Sequence, residues 1–407
     1  MRPAIHQVLA TLGYGDAIGH EVLGIQRVLR GAGYESEIFV QTAEPRVEHL
    51  TLHYSDLQDA SHPDNILIHH FSIGSRASRL AYALPDRMVL IYHNITPPEF
   101  FVDVNKELVK LCFRGRRELA LYRSRCDLAL GDSEYNRQEL DALGFAPTGV
   151  LKVVPGFDHL MKAASLTAGG FDDDWVNVLF VGRVIPNKKF EDLIRAFHAY
   201  KTCFNPRARL LLVGSHAGFE RYVAMLHGLI ARLDARDVHL VGHVSNEELT
   251  AYYEIADIFV SASEHEGFCV PLIESFHMGV PVLAYAATAV PATMDGAGIL
   301  YTNKDPMHLA ALINAVIEDP GLAERVIDGQ DAALARLESQ DFAGTLLRHI
   351  DSVLSSPRRE HPPVAFDFWD QVEQAEAFDE LKQRRPAAFQ ALPPEPGTRS
   401  WKPETGN

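Results

Sequence analysis

Short apolar runs alternate with helix-period stretches along most of the chain. The first series of predicted strands is Ile5–Leu9, Ser36–Val40, Asn65–His69, Met88–Tyr92, Leu128–Gly131 and Leu151–Val154. The second series is Val176–Val181, Arg209–Val213, Val238–Val241, Ile258–Ser261, Val280–Ala284 and Gly298–Tyr301. Helical periodicity lies between them, over Glu21–Gly31, Lys106–Ser124, Phe190–Tyr200, Ala217–Leu233 and Asn246–Ile255. This alternation predicts parallel sheets with helices on both faces.

The alternation pauses at Gly156–Trp175, where small and acidic residues interrupt the apolar periodicity. We therefore predict an α/β protein with two Rossmann-like, doubly wound halves, residues 1–160 and 161–335, which face each other across a cleft. Residues 336–356 predict a helix that packs back towards the N-terminal half, and the Pro-rich residues 357–407 predict a flexible tail. Ligands of open parallel sheets bind beyond the carboxyl ends of the strands, so the cleft is the predicted site.

Composition narrows the class of protein. The 407 residues are 47% apolar and 23% charged, which is typical of a globular chain. Because 38 basic residues face 54 acidic ones, for a net charge of −16, general nucleic-acid binding is disfavoured, although a local basic patch is compatible with the total. The four cysteines lack zinc-ligand spacing, and no segment approaches the roughly 18 apolar residues of a membrane span. Since the N-terminus also lacks the pattern of a secretory signal, a cytoplasmic location is expected.

The most informative stretch is Glu264–Glu274, between a predicted strand and a predicted helix. Pro271 suits the first helical position, so the preceding amides would point out of a helix N-terminus and bind an anion such as phosphate. These predicted donors belong to Gly267, Phe268, Cys269 and Val270. Glu266 and Glu274 flank them and would accept hydrogen bonds from sugar hydroxyls, as in a nucleotide sugar. The alternative is a capped helix with two surface glutamates.

Two cations strengthen the first interpretation. Arg183 follows the predicted strand Val176–Val181 in a Gly-Arg pair, and Lys188 comes five residues later. At the carboxyl end of a strand, such cations would neutralise a diphosphate. Taken singly, a loop cation is more often solvated.

At this point the sequence resembles the retaining GT-B glycosyltransferases of glycosyltransferase family 4, also called group 1. The matching elements are Gly182-Arg183 with Lys188, the run Val241–Leu249, Ala256–Val260, the Glu266…Glu274 pair and Gly279–Val282. The resemblance implies that Arg183 and Lys188 bind the donor diphosphate, Glu274 the ribose, Glu266 the donor sugar, and the main chain near Val244 the base. Lys189 departs from the family, in which glycine often follows the lysine.

The N-terminal half is less diagnostic. A glycine-rich loop, Leu12–His20, opens the first helix but lacks dinucleotide-binding spacing. The resemblance places this loop against the donor phosphates and makes Gly15 and Asp16 candidates for donor binding. His93, at the end of the predicted strand Met88–Tyr92, points into the predicted cleft; the family favours a catalytic role for it near the donor sugar, and the alternative is a histidine satisfied by carbonyls. His69-His70 is a weaker acceptor-side candidate.

A basic helix over 106–125 suggests a further partner. Its cations and recurring apolar residues predict a solvated polar face or, alternatively, weak peripheral contact with anionic lipid at the inner membrane face. The expected partners are thus a nucleotide-sugar donor and a glycan, lipid-linked or small-molecule acceptor. The sequence carries no signal for oligomeric state.

For the reaction we expect retaining, metal-independent transfer. A double displacement needs a carboxylate nucleophile. Glu266 would bind sugar hydroxyls and no other acid is a candidate, so front-side attack is favoured, with Arg183, Lys188, Glu266 and His93 as the catalytic set. Asp172–Asp174 contains a DxD pattern, but it precedes a strand, so no metal or other cofactor is predicted. The alternatives are a sugar-nucleotide epimerase, a glycan phosphorylase, and a non-catalytic sugar-nucleotide-binding protein.

Overall fold

Two parallel β-sheets form the framework of the protein. The computed structural model describes residues 2–13, 17–153, 156–160, 170–171, 173–360 and 386–387. The first sheet has the strand order β3-β2-β1-β4-β5-β6-β7. Its strands are β1 Ile5–Leu12, β2 Ile38–Ala43, β3 Leu52–His53, β4 Ile66–Phe71, β5 Arg87–Tyr92, β6 Leu128–Gly131 and β7 Thr148–Val150. The second sheet has the order β10-β9-β8-β11-β12-β13. Its strands are β8 Val176–Val181, β9 Ala208–Val213, β10 Val238–Gly242, β11 Ile258–Ser261, β12 Val282–Tyr285 and β13 Ile299–Tyr301.

Thirteen α-helices connect and cover the strands in the part of the chain that the structure describes. Those of the first half are α1 Ala17–Gly31, α2 Leu57–Ala60, α3 Arg76–Ala83, α4 Lys106–Tyr122 and α5 Glu134–Ala142. The others are α6 Phe190–Cys203, α7 Glu220–Leu233, α8 Asn246–Glu254, α9 Val270–His277, α10 Val290–Met294, α11 Pro306–Glu318, α12 Pro320–Glu338 and α13 Phe342–Ser355. We call the first sheet with its helices the N-terminal lobe and the second the C-terminal lobe.

The sheet topology determines where a ligand can bind. In each sheet the strand order reverses next to the first strand, between β1 and β4 in one lobe and between β8 and β11 in the other. The loops after such neighbours diverge to opposite faces and leave a crevice at the carboxyl edge. All described strand pairs are parallel, so each sheet gathers its strand ends at one edge.

The last long helix, α13, belongs to the N-terminal lobe although it follows the C-terminal lobe in sequence. Its apolar face, Leu346, Ile350 and Val353, is buried in a core with residues of β1, α1, β4, β5 and β6. The Arg87 guanidinium donates hydrogen bonds to two carbonyls at its end, those of Leu354 and Ser356. Residues 1–359 consequently form one compact unit.

One predicted strand, Leu151–Val154, is wrong. The seventh strand lies three residues earlier, where Thr148 pairs with Ala129 and Val150 with Gly131 of β6. Leu151 instead buries its side chain in the core beneath α13, and Val154 lies outside the described residues. The observed strand, with Thr148 and Gly149, is less apolar than the predicted one, so pairing with β6 and not local hydrophobicity determines which segment becomes a strand.

The basic helix is shorter and less cationic on its surface than predicted. It ends at Tyr122, and Arg125 is buried, donating to the carbonyls of Tyr82, Leu84 and Asp86. Arg116 is also engaged, with the Ile95 carbonyl and Glu139. Within the described ranges, no helix has the length and apolar character needed to span a bilayer.

Candidate active site in the cleft between the lobes

A cavity of about 1110 Å³ lies between the carboxyl edges of the two sheets. It gathers most of the residues that the sequence predicts for the site. Those lining it are His93, Arg183, Lys188, Val244, Glu266, Gly267, Phe268, Cys269, Val270 and Glu274. Predicted cations, amides and acids from both lobes therefore share one pocket.

A buried ion pair fixes the two loops of the C-terminal lobe that form the cavity. The Lys188 ammonium group, in the turn after β8, contacts both carboxylate oxygens of Glu266, in the loop after β11. Burial disfavours the charged lysine, but the Glu266 carboxylate outweighs it, so the pKa of Lys188 lies above its ordinary value. Asn187 joins the same loops through its side-chain bond to the His265 carbonyl, at 3.0 Å.

The N-terminus of α9 opens into the cavity. Cys269 adopts a left-handed conformation, with φ of 73°, immediately before the helix. Pro271 is the second residue of the helix, one position later than the sequence predicts. Helix N-termini leave amide groups without intrahelical partners, and these favour an anion. Gly267 packs against the facing lobe: a β-carbon there would lie 2.6 Å from the His93 carbonyl oxygen, so only glycine allows this contact.

Arg183 and Lys188 differ in a way that the sequence does not indicate. Lys188 is committed to Glu266, whereas Arg183 forms no ion pair within the described chain. The Arg183 guanidinium lies 5.6 Å from the centre of the Phe219 ring, in cation–π contact, and its side chain is exposed to the cavity. Arg183 is therefore the cation available to an incoming anion.

Glu274 reaches the cavity from α9 as a pre-positioned acceptor. Its two carboxylate oxygens accept hydrogen bonds from His159 Nε2, at 2.9 Å, and from the buried Tyr253 hydroxyl, at 2.8 Å. Fixed partners restrict the carboxylate to one orientation, which suits recognition of a diol.

In the N-terminal lobe, His93 ends a chain of buried hydrogen bonds. Gln7 donates through Nε2 to the Val22 carbonyl, so its Oε1 accepts from His70 Nε2, at 2.9 Å. Burial holds the pKa of His70 well below its usual range, so His70 is neutral, and its Nδ1 accepts from His93 Nε2 at 3.0 Å. Because His70 Nδ1 can only accept, the hydrogen between the two rings belongs to His93 Nε2.

The other nitrogen of His93 faces two acids. Nδ1 lies 3.6 Å from Glu21 Oε2 and 3.5 Å from Asp132 Oδ2, and all three side chains are almost fully buried. Burial raises the pKa of Glu21 to about 7, since the opposing attraction of His93 is smaller. Burial also raises the pKa of Asp132, against the stabilising bond from His93. Three ionisable side chains thus lie together in a buried part of the cleft wall.

Comparison with known proteins identifies the second lobe. Residues 164–331 match the family model described as glycosyl transferases group 1. This stretch of the chain is similar to the group 1 glycosyl transferases. The resemblance to group 1 glycosyltransferases seen in the sequence is thereby confirmed over these residues.

Curated relatives agree over part of their length. A D-inositol 3-phosphate glycosyltransferase of Kineococcus radiotolerans is 30% identical over 229 residues, which is 51% of this chain and 52% of the relative. The O-antigen chain mannosyltransferase B of Escherichia coli is 29% identical over 36% of this chain and 38% of its own. The chain spans about half the length of the first of these relatives, and less of the second.

Solved structures extend the likeness to both lobes. Sucrose-phosphate synthase of Thermosynechococcus elongatus superposes with a TM-score of 0.65 at 19% identity, over 86% of this chain and all of that one. HepE of Anabaena, solved with UDP-glucose, gives 0.63 at 20% identity, over 87% of this chain and all of that one. The predicted GT-B architecture is confirmed.

The backbone conformation of Lys189 explains how this chain departs from the family motif and keeps the same loop. Lys189 adopts φ of 57°, the left-handed conformation that glycine favours. Ion pairs to Glu191 and Glu264 hold the lysine there. The loop that presents Lys188 therefore keeps a glycine-like backbone.

Other predicted residues lie elsewhere. Gly15, Asp16 and Asp172 are outside the described residues. His69 is buried against Ser78. The two described acids of the DxD pattern precede β8, where Asp173 pairs with Arg209 of β9 and Asp174 with Arg207 just before β9. The described residues contain no group of three or more potential metal ligands.

Four residues of the cavity or its support were not predicted from the sequence: Glu21, Asp132, His159 and Tyr253. Asp132 directly follows a predicted strand, as His93 does. This position could have indicated that Asp132 belongs to the site. Glu21 and Tyr253 lie inside helices, where an acid or a tyrosine carries no local mark of function.

Replacing Glu21 by glutamine tests its raised pKa. A carboxyl whose folded-state pKa is raised contributes stability below its ordinary pKa of about 4.5, and that contribution is lost as pH rises through about 7. The unfolding free energy of the native chain relative to Glu21→Gln should fall by about 2–3 kcal/mol between pH 5 and pH 8, measured by urea denaturation. Exposed Glu254→Gln is the control, and parallel profiles for Glu21→Gln would contradict the raised pKa.

Proposed function

We propose that the protein is a glycosyltransferase that moves a sugar, with retention, from a nucleoside-diphosphate sugar to an acceptor bound in the N-terminal lobe. The observation that supports this most is the convergence of Arg183, the α9 amides and Glu274 on one cavity that faces His93. The named relatives are glycosyltransferases, and HepE was solved with UDP-glucose. UDP-sugars are therefore the first donors to test.

The proposed donor orientation follows from charge. Arg183 and the α9 terminus would bind the diphosphate, with Lys188 completing the cation set beside Glu266. Glu274 would accept hydrogen bonds from the ribose diol, and the main chain near Val244 would contact the base. Glu266 would direct an oxygen towards a hydroxyl of the donor sugar while remaining paired with Lys188.

For the chemical step we propose front-side attack. The departing diphosphate would accept the acceptor proton, and Arg183, Lys188 and the helix terminus would stabilise its developing charge. His93 would contribute through its position rather than as a free base, since its Nε2 is bound to His70 and its Nδ1 faces acids. Contact between Gly267 and His93 would keep water away from the reacting carbon.

Arg183→Gln tests the diphosphate site without unpairing a buried acid. We expect roughly 2–4 kcal/mol less transition-state stabilisation, about 30- to 1000-fold in kcat/KM, because one strong anion partner is lost. Donors are first selected by thermal shift with UDP-, GDP- and ADP-sugars, and transfer is then followed by product analysis. Exposed Arg232→Gln is the matched control, and native kinetics for Arg183→Gln would reject the assignment.

Metal independence is a second expectation. In the proposed site, fixed cations and amides already neutralise the charge of the diphosphate. EDTA should therefore leave the rate of sugar transfer unchanged. The measurement is the initial rate with and without chelator. A rate abolished by EDTA and restored by manganese would overturn this expectation.

We also propose weak membrane contact through α4 and the turn before it. Exposed Val102, Leu111 and Phe113 accompany exposed Lys106 and Lys110 on this surface. Liposome flotation should show binding that increases with anionic lipid and falls in the Phe113→Ser, Lys110→Gln double variant. Flotation independent of anionic lipid would remove this part of the proposal.

A further inference from the structure

A fully buried asparagine, Asn136, lies behind the wall of the cleft and has no role in the mechanism proposed above. It is 0% exposed and lies in the first turn of α5, where the side chain of Ser133, the N-cap, accepts a hydrogen bond from its backbone amide at 3.2 Å. An amide group is costly in a protein core unless its polar atoms have partners. The partners of the Asn136 side chain therefore indicate what the residue does.

The side-chain amide of Asn136 is bound through both its oxygen and its nitrogen. Oδ1 accepts a hydrogen bond from Asn94 Nδ2 at 2.7 Å. Nδ2 donates to the Tyr92 carbonyl at 3.3 Å and to a carboxylate oxygen of Asp132. Because a backbone carbonyl can only accept, the nitrogen must face Tyr92, which determines the orientation of the amide. Both N–H groups and the oxygen of the Asn136 side chain are thus in use.

The three partners of Asn136 surround His93. Tyr92 and Asn94 are its neighbours in the chain, and Asp132 Oδ2 lies 3.5 Å from His93 Nδ1. Asn94 has φ of 70°, a left-handed conformation that costs free energy and persists only where contacts hold it. Asn136 therefore fixes the backbone on both sides of His93 and the acid beside its imidazole ring.

A glycine at the end of β6 allows Asn136 to reach this turn. Gly131 lies opposite Tyr92 of β5 in the sheet. A β-carbon on Gly131 would lie 2.4 Å from the Arg137 amide nitrogen and 2.9 Å from the Asn136 carbonyl carbon. Only glycine lets the first turn of α5 pack so closely against the end of the strand. The local sequence thus brings the Asn136 side chain next to the Tyr92–Asn94 turn.

The turn that Asn136 holds also contacts the C-terminal lobe. A β-carbon on Gly267 would lie 2.6 Å from the His93 carbonyl oxygen, so the two backbones touch there. His93 and Gly267 both line the cavity of the cleft. A displacement of the turn would therefore move the His93 ring and change the contact between the lobes.

We propose that Asn136 is a positioning residue for the donor sugar. Through the Tyr92–Asn94 turn and Asp132, it holds His93 where the sugar of the donor would lie. The nucleotide would be bound by Arg183 and Glu274, in the other lobe, so its binding does not depend on Asn136. The inference rests on the proposed function, because that proposal places the donor in the cavity that His93 faces.

Asn136→Asp tests this role with almost no change in side-chain volume. The substitution removes both N–H donors and places an acceptor opposite Asp132 and the Tyr92 carbonyl, so the turn around His93 loses its support. Binding is measured by calorimetry on the full chain, with whichever of UDP-, GDP- and ADP-glucose the native chain binds best. The affinity for this sugar nucleotide should fall at least tenfold, while the affinity for the corresponding nucleoside diphosphate should stay within twofold.

Asn177→Asp is the matched control. Asn177 is a buried asparagine near the amino end of β8, and its Nδ2 donates to the carbonyls of Phe171 and Ile255. The same substitution there should lower the midpoint of urea denaturation, because two buried carbonyls lose their donor. It should leave the ratio of the two ligand affinities within twofold of the native ratio.

Asn94→Gly is a milder change at the same turn. Glycine accepts φ of 70°, so only the side chain that binds Asn136 is lost. The affinity for the sugar nucleotide should fall at least threefold, and the affinity for the nucleoside diphosphate should again stay within twofold.

Equal losses of affinity for the two ligands in Asn136→Asp would show a role in folding alone and overturn the inference. An unchanged ratio of affinities in Asn136→Asp would also overturn it, as would an unchanged ratio in Asn94→Gly if the first variant does not fold. A native chain that binds none of the three nucleoside diphosphates would contradict the proposed function itself, and the inference with it.

Discussion

The pairing of Lys188 with Glu266 is the constraint on which the C-terminal site depends. A buried ammonium group is stable only beside a carboxylate, and this one lies across two loops that follow neighbouring strands, β8 and β11. The pair therefore holds the turn that carries Lys188 next to the segment that leads into α9. Because the two charges cancel, the uncompensated positive charge next to α9 is that of Arg183 and of the helix terminus.

Three residues with strained backbone lie close to that pair. Lys189, Cys269 and Asn94 are non-glycine residues with positive φ, of 57°, 73° and 70°, and each neighbours a residue of the cleft. Such conformations cost of order 1–3 kcal/mol each and persist only where surrounding contacts require them. Ion pairs hold Lys189, the entry to α9 requires the turn at Cys269, and a hydrogen bond to Asn136 holds Asn94.

The sequence predicted the parts of the protein that local patterns determine. Alternating apolar runs give the parallel sheets, and the Glu266…Glu274 spacing places α9 at its strand end. Contacts between distant segments were not predictable in this way. Glu21, His93 and Asp132 meet because β5 and β6 end at the edge of the sheet where α1 begins, and their spacing along the chain does not indicate this contact. The seventh strand was misplaced for the same reason, since its register depends on β6.

The position of α13 determines when the N-terminal lobe can finish folding during synthesis. Its apolar face completes the core of a lobe whose strands were synthesised some 200 residues earlier. Ile25, Leu29 and Ile68 pack against this face of α13. They stay exposed until Leu346, Ile350 and Val353 have left the ribosome. The nascent N-terminal lobe therefore has an exposed apolar patch. A fragment that ends at the boundary between the sheets would lack α13, so its apolar patch would stay exposed. The two lobes are separate as sheets but form one folding unit.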